Sequence, residues 1–372
     1  ASGLSIGASA FMGNAYGAEK LEEVRKAFAS VVFVGAILSI IILGVSLNGY
    51  HLFMGIFQVP DKIYLLTEFY LKIILFSFPF TFLYNIITAA LRSIGDSRTP
   101  IVFLGISCML NVILDLVFVG EFQMSVAGAG LSTLIAESFS CILCILHVYK
   151  NVPLLALKKE EWKPDKRIIV IILKNGGVTA LQQLMQPIGK VLIQGCVNLY
   201  GVSMIAAFNA VNRVDDFACI PEQSISHAMM TYISQCEGAK NEEKKQEGFQ
   251  KGMKLEIIYG VLIFLIVFLF RNQIIHIFGS GKMEKIGADY LKCIAIFYIL
   301  PGITNGVQGY FRGIQKMKVT LIATCIQITL RTLFVYVLIP KTGMNGAAYA
   351  CAIGWSVMIL YQVCTYRKYK IR

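Results

Sequence analysis

The chain has 372 residues, of which 56% are hydrophobic and 15% are charged. Soluble domains carry roughly 45–50% apolar and about 25% charged residues, so this composition excludes an ordinary soluble protein. The formal net charge is +12, but the basic residues stand between long apolar runs and do not form one polar face. This pattern favours a protein embedded in a lipid bilayer over one that binds nucleic acid.

Eleven apolar segments follow one another along the chain. Most of them exceed the roughly 20 residues that a helix needs to span hydrocarbon. The first, residues 1–16, has the character of the second half of a membrane helix. We therefore expect twelve helices in all, with eleven visible and with the first helix and part of the second absent. The other ten segments lie at about 27–48, 68–91, 99–120, 126–149, 168–199, 203–234, 251–270, 288–311, 318–339 and 345–366.

Lysine and arginine indicate the orientation of these segments. Most of the 34 basic residues stand in alternate connections, and the intervening connections carry few. Connections rich in lysine and arginine remain in the cytoplasm, which predicts a cytoplasmic C-terminus. The basic connections are 17–26, 92–98, 150–167, 235–254, 312–318 and the tail 367–372.

The two halves of the chain are related in sequence. Asn85 and Arg92 are matched by Asn305 and Arg312, each 220 positions later, and other matches follow in the same order. A repeated unit of six helices enters the membrane twice in the same sense, so the copies are related by an axis along the membrane normal.

The predicted fold class is an all-α polytopic membrane protein with two six-helix lobes related by a pseudo-two-fold axis. The N-lobe comprises residues 1–149 and the C-lobe residues 168–372. Residues 150–167, which contain two prolines, form the cytoplasmic linker between them.

Asp115 is an ionisable residue within an apolar helix, where a charge is costly and usually marks a functional site. Asn111 lies four residues earlier and shares its helix face. The next apolar segment brings Ser132 and Thr133 back past the same depth. Asn111, Asp115 and Thr133 provide hard oxygen ligands suited to Na+, or Asp115 could carry a proton. The alternative is a hydrogen-bonded trio that only locks two helices together.

The C-terminal half has its own polar residues. Gln182, Gln186 and Lys190 are spaced four apart and form one helical stripe. Two interpretations remain open, namely the wall of a substrate cavity with a second protonatable site, or ion pairs that neutralise buried charge. Glu137 and Arg331 are further charges in apolar segments with no evident partner. The apolar segment at 203–234, which follows the segment of Gln182, adds further residues to the polar set of the C-terminal half, namely Asn209, Arg213, Asp215 and Asp216.

No motif indicates a cofactor. The ten cysteines are scattered, the four histidines lack the spacing of metal ligands, and no glycine-rich nucleotide loop is present. We therefore expect no cofactor apart from a coupling ion, Na+ or H+.

The motif at 91–100, LRSIGDSRTP, followed by Asn111, Asp115 and VAGAGLST at 126–133, resembles the middle of the N-lobe of multidrug and toxic compound extrusion transporters. In the archaeal and DinF-like branch of that family, an aspartate on helix one joins an Asn, an Asp four residues later and a Thr on helix six to bind the coupling cation. The resemblance implies this role for Asn111, Asp115 and Thr133, whereas we expect helix one, with its aspartate, to lie outside the given sequence.

We therefore predict a secondary active transporter and not an enzyme. It would couple entry of Na+ or H+ to export of amphipathic organic compounds by alternating access, as a monomer in a bacterial inner membrane. Its partners would be small organic substrates and the lipid bilayer. One alternative is a lipid-linked oligosaccharide flippase of the wider superfamily, and another is an integral membrane enzyme.

Overall fold

The computed structural model describes residues 2–56 and 58–370, which form twelve α-helices and no strand. Short 3-10 turns occur at Lys159–Glu161 and Asn198–Tyr200. The α-helices are α1 Ser2–Gly17, α2 Leu21–Ile56, α3 Asp61–Ser93, α4 Arg98–Asp115, α5 Ser125–Asn151, α6 Lys166–Val197, α7 Val202–Gly238, α8 Glu242–His276, α9 Lys282–Ala295, α10 Ile299–Gly313, α11 Met317–Thr342 and α12 Asn345–Lys370.

The predicted count of eleven helices is wrong for the residues that the structure describes. The segment expected at 288–311 consists of two helices, α9 and α10, which are bent by 51°. Pro301 stands in the first turn of α10, and it has no backbone N–H to donate to the carbonyl of Phe297. The chain instead makes tight turns here, in which Leu300 N donates to Phe297 O at 2.9 Å.

Other prolines do not interrupt their helices. Pro79 lies inside α3, Pro187 inside α6 and Pro221 inside α7, and each helix continues on both sides of its proline. The structure thus distinguishes Pro301, where one apolar segment becomes two helices, from prolines that a single helix accommodates.

Eight of the described helices are long and apolar enough to cross a membrane, and the α9–α10 pair raises the number to nine if it is one broken span. The surfaces agree with this assignment. Only 6% of the most apolar window of α4 is buried, so its side chains are largely exposed. Exposed apolar area costs about 25 cal/mol per Å² in water, a cost that surrounding lipid removes.

The chain divides into two compact units, Ala1–Gly177 and Val178–Arg372. In unit 1, α1, α2, α3 and α5 surround a core that includes Met12, Ala27 and Leu91. Unit 2 has a separate core on α7, α9, α11 and α12, which includes Tyr290 and Cys351. The lobe and linker boundaries predicted above remain predictions.

Gly346 on α12 lies directly against the backbone of α11. A Cβ at this position would be 2.5 Å from the carbonyl carbon of Leu338 and 2.7 Å from the backbone nitrogen of Ile339. Because the obstacle is backbone, a side chain there must separate the two helices. Gly44 on α2 provides a contrast, since a Cβ there would meet nothing within 4 Å.

We expect Gly346→Ala to destabilise the protein by about 3 kcal/mol through overpacking. The same substitution at Gly44 should be neutral or stabilise by up to about 1 kcal/mol, because alanine is the better helix former. Thermal unfolding of the two purified variants in one detergent measures the difference. Equal midpoints would contradict the close approach of α11 and α12.

Candidate functional site

Polar side chains of α4 and α5 meet around Asp115 in unit 1. The hydroxyl of Ser132 donates a hydrogen bond to the Asp115 carboxylate. The amide nitrogen of Asn111 lies 3.4 Å from the hydroxyl oxygens of both Ser132 and Thr133. Ser132 is fully buried, whereas Asn111, Asp115 and Thr133 are half-buried. The structure thus brings the three predicted residues together and adds a fourth.

The backbone changes its winding directly after Asp115. The α-helix ends at this residue, and a six-residue π-helix, Leu116–Glu121, continues from it. Phe122 N then donates to Val117 O at 2.9 Å, five residues back. Turns of π-helix are rare and frequently occur at functional sites. Asp115 therefore lies at the junction of two helical geometries.

The chemistry of this cluster suits a small monovalent cation or a proton. The Asn111 amide nitrogen points at two hydroxyls, which leaves the amide oxygen available to a cation. Carboxylate, hydroxyl and amide oxygens are hard ligands. Asp115 is the single carboxylate of the cluster. Within residues 2–56 and 58–370, no group of three or more His, Cys, Asp or Glu could hold a metal ion.

Unit 1 also contains a cavity of about 370 Å³ beside α3, α4 and α5. Glu137 lines it and accepts a hydrogen bond from the Thr81 hydroxyl. The Asn85 amide donates to the Thr81 carbonyl at 2.7 Å, and Arg92 lines the cavity about two turns further along α3. The cavity thus contains an acid, an amide and a guanidinium within a membrane-embedded unit.

A second cavity, of about 280 Å³, lies within unit 2. Asn209 and Arg213, which were predicted to line a substrate cavity, are exposed and do not line this one, because they occupy another face of α7. Their assignment to a substrate cavity stays a prediction. The predicted residues that do line the cavity are Gln182, Gln186, Lys190, Asp215 and Asp216.

The two adjacent aspartates in this cavity have different environments. Asp216 is exposed and pairs with Lys190 at 2.6 Å. Asp215 accepts a hydrogen bond of 2.5 Å from the hydroxyl of Tyr298 and interacts electrostatically with Arg331. Adjacent residues on a helix point about 100° apart, so only one of the two can face the interior of unit 2.

Gln182 is the centre of a buried polar network. Its amide nitrogen donates to Gln308 at 2.6 Å and to Thr324 at 3.0 Å, and its oxygen accepts from Thr320 at 3.0 Å. Arg312 donates to Gln308 at 2.9 Å and to Gln182 at 3.3 Å. Arg312 is only 8% exposed, although the sequence placed it in a cytoplasmic connection. Its guanidinium instead lines the cavity of unit 2.

The two cavities use corresponding positions of α3 and α10. Five residues of α3 line the first cavity, and the residue 220 positions after each of them lines the second. This correspondence supports a duplicated unit. The pairs are Thr81 with Pro301, Tyr84 with Thr304, Asn85 with Asn305, Thr88 with Gln308, and Arg92 with Arg312.

Comparison with known proteins assigns the family. The family model MatE matches residues 1–117 and 179–337. The chain belongs to the MatE family. A MatE chain is a multi-pass membrane transporter, so an integral membrane enzyme is excluded.

Curated relatives of this MatE chain carry names that refer to drug resistance or drug export. It is 27% identical over 318 residues to the probable multidrug resistance protein YpnP of Bacillus subtilis, covering 84% of this chain and 70% of YpnP. It is 26% identical over 355 residues to the probable multidrug resistance protein NorM of Thermotoga maritima, covering 92% and 75%. It is 24% identical over 369 residues to the multidrug export protein MepA of Staphylococcus saprophyticus, covering 96% of this chain and 78% of MepA.

Solved structures share the fold of this MatE chain. It superposes on an outward-facing multidrug resistance MATE family transporter of the MOP superfamily with a TM-score of 0.94 and 19% identity, covering 100% of this chain and 85% of that one. It superposes on a MOP superfamily transporter from Pyrococcus furiosus with a TM-score of 0.91 and 19% identity, covering 99% of this chain and 83% of that one.

Several residues of the two MatE sites had no assigned role in the sequence. Ser132 bonds directly to Asp115, and Glu137 finds its partner in Thr81. Tyr298, in the turn between α9 and α10, bonds to Asp215, which lies 83 positions earlier in the chain. The offset of the internal repeat could have pointed to Gln308, which stands at the position of Thr88. No comparable signal pointed to Tyr298.

Proposed function

We propose that this MatE protein is a cation-coupled antiporter of the DinF-like branch, which exports amphipathic organic compounds by alternating access. The observation that carries this proposal is the cluster of Asn111, Asp115, Ser132 and Thr133 within a largely apolar helix pair. A carboxylate in a membrane-spanning segment has a high free-energy cost, and such residues usually have a function. The relatives named for multidrug resistance and export support the substrate class.

The coupling ion in this proposal is Na+ or H+, bound at Asp115 with Asn111 and Thr133. Ser132 holds the carboxylate in place through its hydroxyl. Ion binding can drive export only if the two conformations of the protein bind the ion with different affinities. The π-helix that begins after Asp115 joins this site to the connection between α4 and α5, and so offers a segment whose shape can depend on the bound ion.

Substrate binds in this proposal against polar walls in the two cavities. In unit 2 the wall comprises the Gln182 network and Asp215. The protein works as a monomer in a bacterial inner membrane, with its C-terminus in the cytoplasm because the tail is basic. It requires no cofactor other than the coupling ion.

Dye export in proteoliposomes tests the function. The purified protein is reconstituted with a fluorescent cationic dye, and export is followed under a Na+ gradient, a pH gradient or neither. We expect net export of the dye under one of the two gradients. Without a gradient, the dye should only equilibrate across the membrane. Equal rates in all three conditions would refute cation coupling, and the gradient that drives export identifies the ion.

A further inference from the structure

Glu256 is a buried acid in α8 to which the proposed mechanism gives no role. Its exposed fraction is 0%, and neither carboxyl oxygen has a hydrogen-bond partner within the part of the chain that the structure describes. Buried polar groups are nearly always hydrogen-bonded, so each exception needs an explanation.

The surroundings of Glu256 leave room for its side chain. α10 packs against α8 at this point with two glycines. A Cβ at Gly302 would lie 3.1 Å from the Glu256 carbonyl oxygen, and one at Gly306 would lie 3.3 Å from the Glu256 Cγ. Larger residues at these positions would compete with the acid for space. The helix pair therefore accommodates a carboxyl group that makes no stabilising bond.

A second buried acid, Glu222, faces this place from α7. Glu222 is 1% exposed and accepts a hydrogen bond of 3.3 Å from the Asn305 amide. Asn305, which bonds to Glu222, is the chain neighbour of Gly306. Gly306 packs against the Glu256 side chain, and Glu222 acts electrostatically on Glu256. The Ser226 hydroxyl donates to the Asn305 carbonyl at 2.7 Å and so fixes the residue that holds Glu222.

The other titratable groups near this pair carry no compensating positive charge. Cys219 on α7 and Tyr259 on α8 are the neighbours, and the Tyr259 hydroxyl donates to the Ala218 carbonyl at 2.9 Å. Asp215, which precedes Glu222 on α7, acts on Glu222 electrostatically. Across residues 2–56 and 58–370, no lysine or arginine forms an ion pair with Glu222 or Glu256.

Two ionised carboxylates cannot remain in such a place. Burying one unpaired carboxylate in an apolar medium costs so much that the group becomes neutral instead. When two acids share one site, like charge makes the second ionisation harder still. At least one of the two groups must therefore hold a proton at neutral pH.

We propose that Glu222 and Glu256 form a proton-binding pair in unit 2, separate from the cation site at Asp115. Asn305 lines the cavity of unit 2 and donates to the Glu222 carboxylate, so it connects the pair to that cavity. Each carboxyl group can take up one proton, and a proton released by Glu222 or Glu256 leaves past Asn305, the residue that bonds to Glu222 and also lines the cavity. The pair does not depend on drug export by the chain.

Infrared spectroscopy of the chain in lipid nanodiscs tests the pair, because a protonated carboxyl group absorbs apart from a carboxylate. We expect the Glu222→Gln/Glu256→Gln variant to lose the absorption of at least one protonated carboxyl group at neutral pH. Each single variant should shift the remaining band, since its partner is changed. If Glu256→Gln does not fold, the shift in Glu222→Gln alone decides the question.

Glu121→Gln is the matched control, because it removes an exposed carboxylate of unit 1 by the same substitution. It should leave the protonated-carboxyl absorption unchanged. A spectrum of the double variant that is identical to the wild type would overturn the proposal. Dye export is measured on the same samples, so a failure of the export function is recorded separately from a failure of the proton pair.

Discussion

Asp115→Asn should lose gradient-driven dye export, with an initial rate reduced roughly 100-fold if the full coupling energy is lost. The substitution removes the charge that attracts the coupling ion and the group that could carry a proton. An asparagine oxygen can still accept the Ser132 hydroxyl, which also lies 2.9 Å from the Ala129 carbonyl. The fold should therefore change in stability by no more than about 1 kcal/mol.

The measurement is dye export from proteoliposomes at matched protein density, with thermal unfolding as the check on folding. Glu121→Gln serves as the control, because Glu121 ends the π-helix that begins after Asp115 and is exposed. It should export at the wild-type rate. Normal gradient-driven export by Asp115→Asn, at equal stability, would remove Asp115 from the coupling site.

Asp215→Asn should destabilise unit 2 by about 3 kcal/mol, whereas Asp216→Asn should cost less than about 1 kcal/mol. Asp215 bonds to Tyr298 and acts electrostatically on Arg331, whose Nε is buried without a partner among the described side chains. Removal of the aspartate leaves that cation uncompensated. Asp216 pairs in an exposed position with Lys190, where solvent screens the attraction.

The two variants differ by one position in sequence and carry the same chemical change, so each is the control for the other. Thermal unfolding gives the stability, and equilibrium binding of the dye gives the affinity. We expect a loss of dye affinity only in Asp215→Asn. Similar losses in the two variants would show that the neighbouring acids act together, contrary to their separate partners in the structure.

The sequence could predict those features that depend on spacing along one helix. Asn111 and Asp115 are four residues apart, and a helix places such residues on one face. The hydrophobic runs located ten of the eleven segments as single helices. The same rule could not distinguish Pro301 from Pro79, because the break depends on whether neighbouring helices satisfy the backbone groups that proline leaves free.

Spacing along one helix could not predict side-chain contacts between helices that are far apart in sequence. Arg312 follows a long apolar run, so its charge suggested the end of a membrane segment and a cytoplasmic connection. In the structure, the side-chain oxygens of Gln182 and Gln308 accept hydrogen bonds from the Arg312 guanidinium inside unit 2. Glu256 was missed because α8 begins with a strongly charged stretch, in which one more acid is unremarkable. Its burial results from two glycines of α10 that lie far away in sequence.

The shared positions of α3 and α10 bear on how this transporter can change over time. The remaining lining differs between the two, since Glu137 stands in one cavity and Trp355 in the other. Since each cavity is built by its own copy of the repeat, a substitution in one leaves the lining of the other intact. Laboratory selection for resistance to a new compound should therefore collect mutations in one half of the gene at a time, with the second half preserving the original substrate range.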